Sequence, residues 1–347
     1  MASARKTGSR LRLKLPENRR AFQSALTDWF ARHGRDLPWR HTRDPYAVMV
    51  SEFMLQQTQV VTVLDYYRRW LERFPTVRAL ADAPQDDVLR LWEGLGYYAR
   101  ARNLHRAAQA IRDEHGGEFP RDLDQIVALP GVGRYTAGAI YSFSYDLPAP
   151  IVDANVARVL ARIMHLRIPV DTAPGQRALW MQAEELLPQE NARLYNSALM
   201  ELGATLCRQR APQCLICPVL SYCAAAPHNP ELLPVKKARK ATIALTEDCA
   251  WVVHDGKLLL QQGTGSRWKG LWKLPPLVDA AVATRSEPLM HLAYPFTHYQ
   301  VTLRVFAEDA PLVPGADQAW CPLDNLEAVA MAAPHRRAVR QLTKNPS

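Results

Sequence analysis

Four cysteines crowd into one short stretch, spaced Cys207-x6-Cys214-x2-Cys217-x5-Cys223, and no other feature limits the fold of this chain so sharply. Thiols this close can pair as disulfides, share a metal or stand unligated, and either of the first two outcomes forces the segment into a tight loop. Disulfide frameworks belong to small secreted domains, whereas this is a 347-residue chain whose start has no apolar secretory core. The crowding therefore reads as a metal or cluster site in a reducing compartment, and four soft ligands in a compact loop suit zinc or an iron-sulfur cluster. Cys249 and Cys321 stand apart and default to buried structural thiols.

Upstream of the loop, from about Glu17 to Leu206, apolar residues recur at three- and four-residue spacing and Pro or Gly separates the segments. That pattern predicts an all-helical domain over 17–206. Helices are expected near Arg20 to Arg32, Pro45 to Gln56, Val60 to Phe74, Gln85 to Glu93, Ala99 to His115, Arg134 to Ser144, Ala154 to His165, Gln176 to Leu187 and Leu194 to Leu206. The cysteine loop, 207–223, closes it. Pro227, Pro230 and Pro234, then the basic cluster Lys236, Lys237, Arg239 and Lys240, mark a linker over 224–241. From 242 to 347 the texture is that of a smaller α+β domain: Cys249 to Gln262 reads as two strands joined at Asp255-Gly256, and Tyr299 to Glu308 alternates like a third. Residues 1–16, with Arg5, Lys6, Arg10, Arg12 and Lys14, read as a basic disordered arm, a composition shared with organelle transit peptides.

The chain carries 43 Lys+Arg against 34 Asp+Glu, a formal charge of +9. Such a balance suits a polyanionic partner, either nucleic acid or an anionic membrane. No apolar run reaches the roughly 20 residues a membrane-spanning helix needs, so a soluble intracellular protein is expected, with no membrane partner.

Three further segments carry chemistry. In Leu129 to Ile140 (LPGVGRYTAGAI), Gly131 and Gly133 form a tight turn before a helix, where the backbone can approach a ligand and free N–H groups meet an anion. A Gly-x-Gly before a helix is otherwise just a turn. Val152 to Leu160 (VDANVARVL) sets Asp153 at a helix start, where an isolated Asp is ordinarily an N-cap. Ser51 to Val60 (SEFMLQQTQV) presents Glu52 on an otherwise apolar helix, and an acid in such surroundings has a raised pKa, as a general acid near neutral pH requires. A glutamate on a solvated helix face is the blander alternative.

Taken together these segments resemble a known family. The cysteine spacing is similar to the 4Fe-4S loop of the endonuclease III superfamily of helix-hairpin-helix glycosylases, and the Gly131 and Gly133 turn, some 75 residues earlier, resembles their DNA-backbone hairpin. The Glu52 segment closely resembles the signature of the adenine DNA glycosylases of the MutY type. The resemblance runs from about Glu17 onward and is weakest over the last hundred residues. It implies a 4Fe-4S cluster on Cys207, Cys214, Cys217 and Cys223, with the basic loop neighbours Arg208 and Arg210 available to phosphate. It implies that Glu52 protonates the adenine ring and that Asp153, supported by Asn155, stabilises the sugar cation of glycosidic cleavage. Where bifunctional relatives place a Schiff-base lysine this chain has Tyr135, so the resemblance is to a monofunctional enzyme that leaves an abasic site.

By the same resemblance Gln57 and Tyr97 enter the duplex near the lesion, and Arg35, Trp39, Arg40, Leu55 and Glu201 line an adenine pocket, although arginines on a DNA-binding face also meet phosphate. For Tyr98 the core is expected. The C-terminal half resembles the family's MutT-like, Nudix-fold domain, with Gln261 to Pro276 (QQGTGSRWKGLWKLPP) matching its Trp-Gly-Leu-Trp neighbourhood. The glutamate-rich motif of Nudix hydrolases is absent after Pro276, which implies base recognition without hydrolysis. Phe296, Thr297 and His298 match the loop that meets 8-oxoguanine; Thr297 stands where relatives often have Ser, and Gln300 departs from a common His. The implied substrate is double-stranded DNA holding A:8-oxoguanine or A:G mispairs, acted on by a monomer in the bacterial cytoplasm at the nucleoid, or in the nucleus or mitochondrion of a eukaryote. Two other functions compete: a related glycosylase acting on another mismatched base such as thymine, and a non-enzymatic damage sensor. The presence of both Glu52 and Asp153 argues against the sensor, since binding needs neither.

Overall fold

In a computed structural model, the structure describes residues 18–238, 241–265, 267–278, 283, 286–309 and 314–344. The basic arm expected over 1–16 lies outside the described residues, as do Arg239 and Lys240 of the linker cluster. The described helices are α1 (Arg19–His33), α2 (Pro45–Leu55), α3 (Val60–Arg73), α4 (Val77–Ala81), α5 (Gln85–Leu91), α6 (Ala99–Glu114), α7 (Leu123–Ala128), α8 (Arg134–Tyr145), α9 (Ala154–Ile163), α10 (Ala173–Leu186) and α11 (Ala192–Thr205). They are followed by strands β1 (Ile243–Trp251), β2 (Val253–His254), β3 (Lys257–Gln262), β4 (Trp272–Lys273), β5 (Met290–Phe296), β6 (Tyr299–Ala307) and β7 (Gln318–Pro322), and then by α12 (Ala333–Lys344). The short helices α4 and α7 escape the periodicity argument because one or two turns display too little of the repeat. No helix among the described residues is long and apolar enough to cross a membrane.

Contacts divide the chain into two units, Met1–Gln56 with Ala110–Ala238, and Gln57–Gln109 with Arg239–Ser347. In the first, helix starts follow from side-chain caps: Asn18 accepts from the Ala21 N–H, Asp44 from that of Tyr46 ahead of Pro45, and Thr172 from that of Gly175. Helices α1, α9, α10 and α11 share one core through Phe22, Leu26, Val156, Leu160, Leu179 and Leu199, and Cys207, Cys217 and Tyr222 of the cysteine loop pack against it. Helix α2 is apolar around its circumference and buried from Tyr46 to Met54, as a helix inside a core must be.

The second unit differs from the serial division expected from the sequence, because 57–109 clusters with the C-terminal region. Side chains distant along the chain account for this: Arg336 on α12 pairs with Glu93 at 2.7 Å, and Arg102 Nη1 donates to the Lys269 carbonyl at 2.8 Å. The strands form one sheet in the order β1-β6-β5 and a second in which β3 pairs with β2, β4 and β7. The Asp255-Gly256 hairpin joins β2 to β3, with both residues at positive φ. Upstream of it, β1 begins at Ile243 and pairs in parallel with β6, a long-range pairing that local alternation cannot reveal.

Candidate active site

Because α2 is buried on every side, Glu52 on it is also buried, with 3% of its surface exposed. Burial pushes its pKa up to about 7; a hydrogen bond with the Tyr135 side chain pulls it back in part, and the nearby Asp153 carboxylate raises it. The turn between α7 and α8 brings Tyr135 there. Gly131 takes φ +76°, a conformation that favours glycine, and Gly133 caps α8, so Tyr135 falls in the first helical turn. The Tyr135 phenol is driven well above its ordinary pKa by burial and by Glu52 and Asp153, so it stays protonated and can donate to the carboxylate.

Asp153 caps α9, its Oδ1 accepting the Val156 N–H at 2.6 Å while Oδ2 accepts from Asn155 Nδ2 at 3.2 Å. Burial raises its pKa, and these two hydrogen bonds, which favour the ionised form, oppose the rise. The same carboxylate thus starts the helix and lies within electrostatic reach of Glu52. Arg158 extends the arrangement, donating to Asn155 Oδ1 at 2.7 Å and to the Cys207 carbonyl at 2.8 Å.

Glu52 lines a pocket together with Trp39, Arg40, Leu55, Phe143, Arg193, Ser197 and Met200. Trp39, Arg40 and Leu55, singled out from the sequence, come together here with Glu52. Arg35 and Glu201 stand behind the wall: buried Glu201 accepts from Arg35 Nε at 2.7 Å and from Arg40 Nη2 at 2.7 Å. Its burial would raise the Glu201 pKa, but the two guanidinium groups hold it below the usual value. Arg40 therefore meets a carboxylate that fixes it at the pocket.

Phe143, Arg193, Ser197 and Met200 were not anticipated as pocket residues. A signal existed, since Arg193, Ser197 and Glu201 recur every four residues and so share one face of α11. Arg193 is itself tied down, donating to the carbonyls of Phe143, Arg40 and Thr42.

In the cysteine loop, burial pushes Cys217 up to about 11, and Cys207, Cys223 and Cys214 each add to the rise, so the four thiols lie within electrostatic reach of one another. Arg162 Nη1 donates to Cys207 Sγ at 3.3 Å. Among the described residues no group of three or more His, Cys, Asp or Glu is arranged to hold a single metal ion.

The remaining sequence-derived candidates lie in the second unit. Gln57 and Tyr97 both have positive φ, and Tyr97 is 53% exposed while Tyr98 is buried. Thr297 and His298 form the tight turn between β5 and β6, with Thr297 also at positive φ and Phe296 lying 4.6 Å beneath the Arg267 guanidinium.

Residues 50–173 match the HhH-GPD superfamily base excision DNA repair protein family. The adenine DNA glycosylase of Buchnera aphidicola subsp. Acyrthosiphon pisum is 30% identical over 346 residues, covering 93% of this chain and 98% of that protein. The adenine DNA glycosylase of Mus musculus is 40% identical over 252 residues, covering 67% of this chain and 49% of the mouse protein. A solved thermostable thymine-DNA glycosylase superposes with a TM-score of 0.55 at 30% identity, over 60% of this chain and 96% of that one.

Proposed function

The chain belongs to the adenine DNA glycosylase family, a group of base excision repair enzymes, and from that membership we propose that it hydrolyses the N-glycosidic bond of adenine mispaired with 8-oxoguanine or guanine. The observation that carries the reading is Glu52, buried at the pocket with a pKa near 7 and within electrostatic reach of the half-buried Asp153. Two interacting carboxylates whose environments differ divide the work of an acid and an anion. Protonated Glu52 donates to the ring nitrogen of the flipped purine, which makes the base a better leaving group. Asp153, its charge favoured by the Val156 N–H and Asn155, stabilises the cationic sugar until water adds. Tyr135 stays protonated beside Glu52 and offers no amine for a Schiff base, so the product is an abasic site in an intact strand.

Trp39, Arg40 and Leu55 wall the base pocket, with Arg35 and Glu201 behind them. The turn carrying Gly131 and Gly133 presents backbone N–H groups to phosphate, while Gln57 and Tyr97 fill the gap left by the extruded base. The C-terminal region is Nudix-like and meets the opposing 8-oxoguanine through Phe296, Thr297 and His298, a reading supported by their place at a hairpin turn on which Thr297 is exposed. Incubating the protein with A:8-oxoguanine, A:G and G:T duplexes and then adding alkali tests the function. Strand breaks at the adenine of the first two are expected; none there, or breaks at thymine alone, would reject it.

Cys207, Cys214, Cys217 and Cys223 would hold a 4Fe-4S cluster, and the donor set fits: four soft thiols in mutual electrostatic reach, with the Arg162 cation at one sulfur. When bound, the cluster would fasten the loop to the core beneath it. Purified protein should absorb broadly near about 400 nm and contain iron. A colourless preparation carrying stoichiometric zinc would overturn the assignment.

A further inference from the structure

Gln57 at φ 56° and Tyr97 at φ 47° occupy left-handed backbone conformations that strain non-glycine residues, and such strain persists only where the surroundings over-determine it. Core packing does not explain Tyr97, which is half exposed while its neighbour Tyr98 is buried. The over-determining group is Arg100, 7% exposed on α6. Its Nη1 and Nη2 each donate to Thr58 Oγ1 at 3.2 Å, next to Gln57. Nη2 also donates to the carbonyls of Leu95 at 2.9 Å and Gly96 at 3.1 Å, just before Tyr97. The same guanidinium lies 5.2 Å from the Trp92 ring and 5.8 Å from the Tyr97 ring. Trp92 Nε1 donates to the Gly96 carbonyl at 3.1 Å, and Arg336 grips Glu93, so the Tyr97 turn is braced from three sides.

We infer that Arg100 is a positioning residue that locks the Gln57 and Tyr97 turns into one preformed two-pronged wedge, which replaces the target nucleotide in the base stack. The inference rests on the roles proposed above for Gln57 and Tyr97 and adds what holds them. Extruding a stacked base costs a few kcal/mol, and a wedge already in its inserted shape spends no ordering entropy when it enters. The benefit falls on the flipping step and shrinks when the base is poorly stacked beforehand. Only a planar fork can bridge a hydroxyl on one turn and two carbonyls on the other, so lysine is a poor replacement.

The test uses the full chain with Arg100→Lys and, separately, Thr58→Val, which removes the bridging hydroxyl without touching the buried cation. Single-turnover adenine excision is measured with the A:8-oxoguanine pair in the duplex interior and with the same pair beside a nick. Each variant should slow the interior reaction by about tenfold or more, and the nicked one by no more than about twofold, because a tenfold change matches about 1.4 kcal/mol of the unstacking cost. A 2-aminopurine beside the target adenine should brighten less on binding, at unchanged duplex affinity and unfolding temperature. Equal slowing on both duplexes, or none on either, would overturn the positioning role. The parent protein reports separately: if it excises adenine normally while the variants match it, the function stands and the wedge lock falls, whereas a parent inactive on both duplexes removes the functional premise itself.

Discussion

Glu52→Gln should abolish adenine excision, lowering the single-turnover rate by roughly 10³-fold while duplex binding is retained, because a general acid supplies about 10²–10⁴ of rate and the phosphate contacts lie elsewhere. Glutamine keeps an oxygen that can accept the Tyr135 hydrogen bond, so the substitution removes the titrating proton and little else. On the proposed reading the active species in the parent is protonated Glu52, whose pKa stands near 7. The rate of the chemical step should therefore fall as pH rises through about 7. Stability carries the same sign. The folded value lies above the ordinary glutamate value of 4.5, so the native state gains from holding this proton below about 4.5 and loses that gain as pH climbs through 7. The full difference corresponds to about 3 kcal/mol, so Glu52→Gln should unfold at a higher temperature than the parent at pH 8 and at nearly the same temperature at pH 4. Near-parental turnover, or a rate that climbs with pH from 6 to 8, would show that the acid is another group.

Asp153→Asn should be nearly as damaging to catalysis and far gentler on the fold. Asparagine is as good an N-cap as aspartate, and its side-chain oxygen can still accept the Val156 N–H, now at 2.6 Å. What disappears is the negative charge, in a site where burial amplifies its effect on a developing cation. A rate loss on the order of 10³-fold is expected, with the unfolding temperature within a few degrees of the parent and the visible spectrum unchanged. A variant that cleaves normally would return Asp153 to a purely structural cap. A variant that loses both rate and fold would show that the charge serves the helix more than the sugar.

Local pattern carried much of this molecule. The apolar repeat of α1, α3, α9 and α11 is written in three- and four-residue spacing, and the caps that start α1, α2 and α9 are single side chains next to the helices they begin. The hairpin glycines, the two acids and the four thiols could be singled out because each residue type is chemically unusual in its setting. The bland reading of Asp153 as a cap is structurally apt, since one carboxylate can cap a helix and act electrostatically on a second acid at once.

Other features were decided by contacts between residues far apart in the chain. The parallel pairing of β1 with β6, the clustering of 57–109 with the C-terminal region, and the Arg336 to Glu93 pair have no local periodicity to announce them. Likewise, the sequence offered Glu52 as an acid on an apolar helix, but whether that helix lay at the surface or inside the core was a matter of its neighbours. Covalent order fixed the residue types and the turns between them. Folding set the dielectric around Glu52, the carboxylate near it and the arginine that joins the Gln57 and Tyr97 turns, because a pKa and a strained turn depend on everything within a few ångströms, most of it distant in the chain.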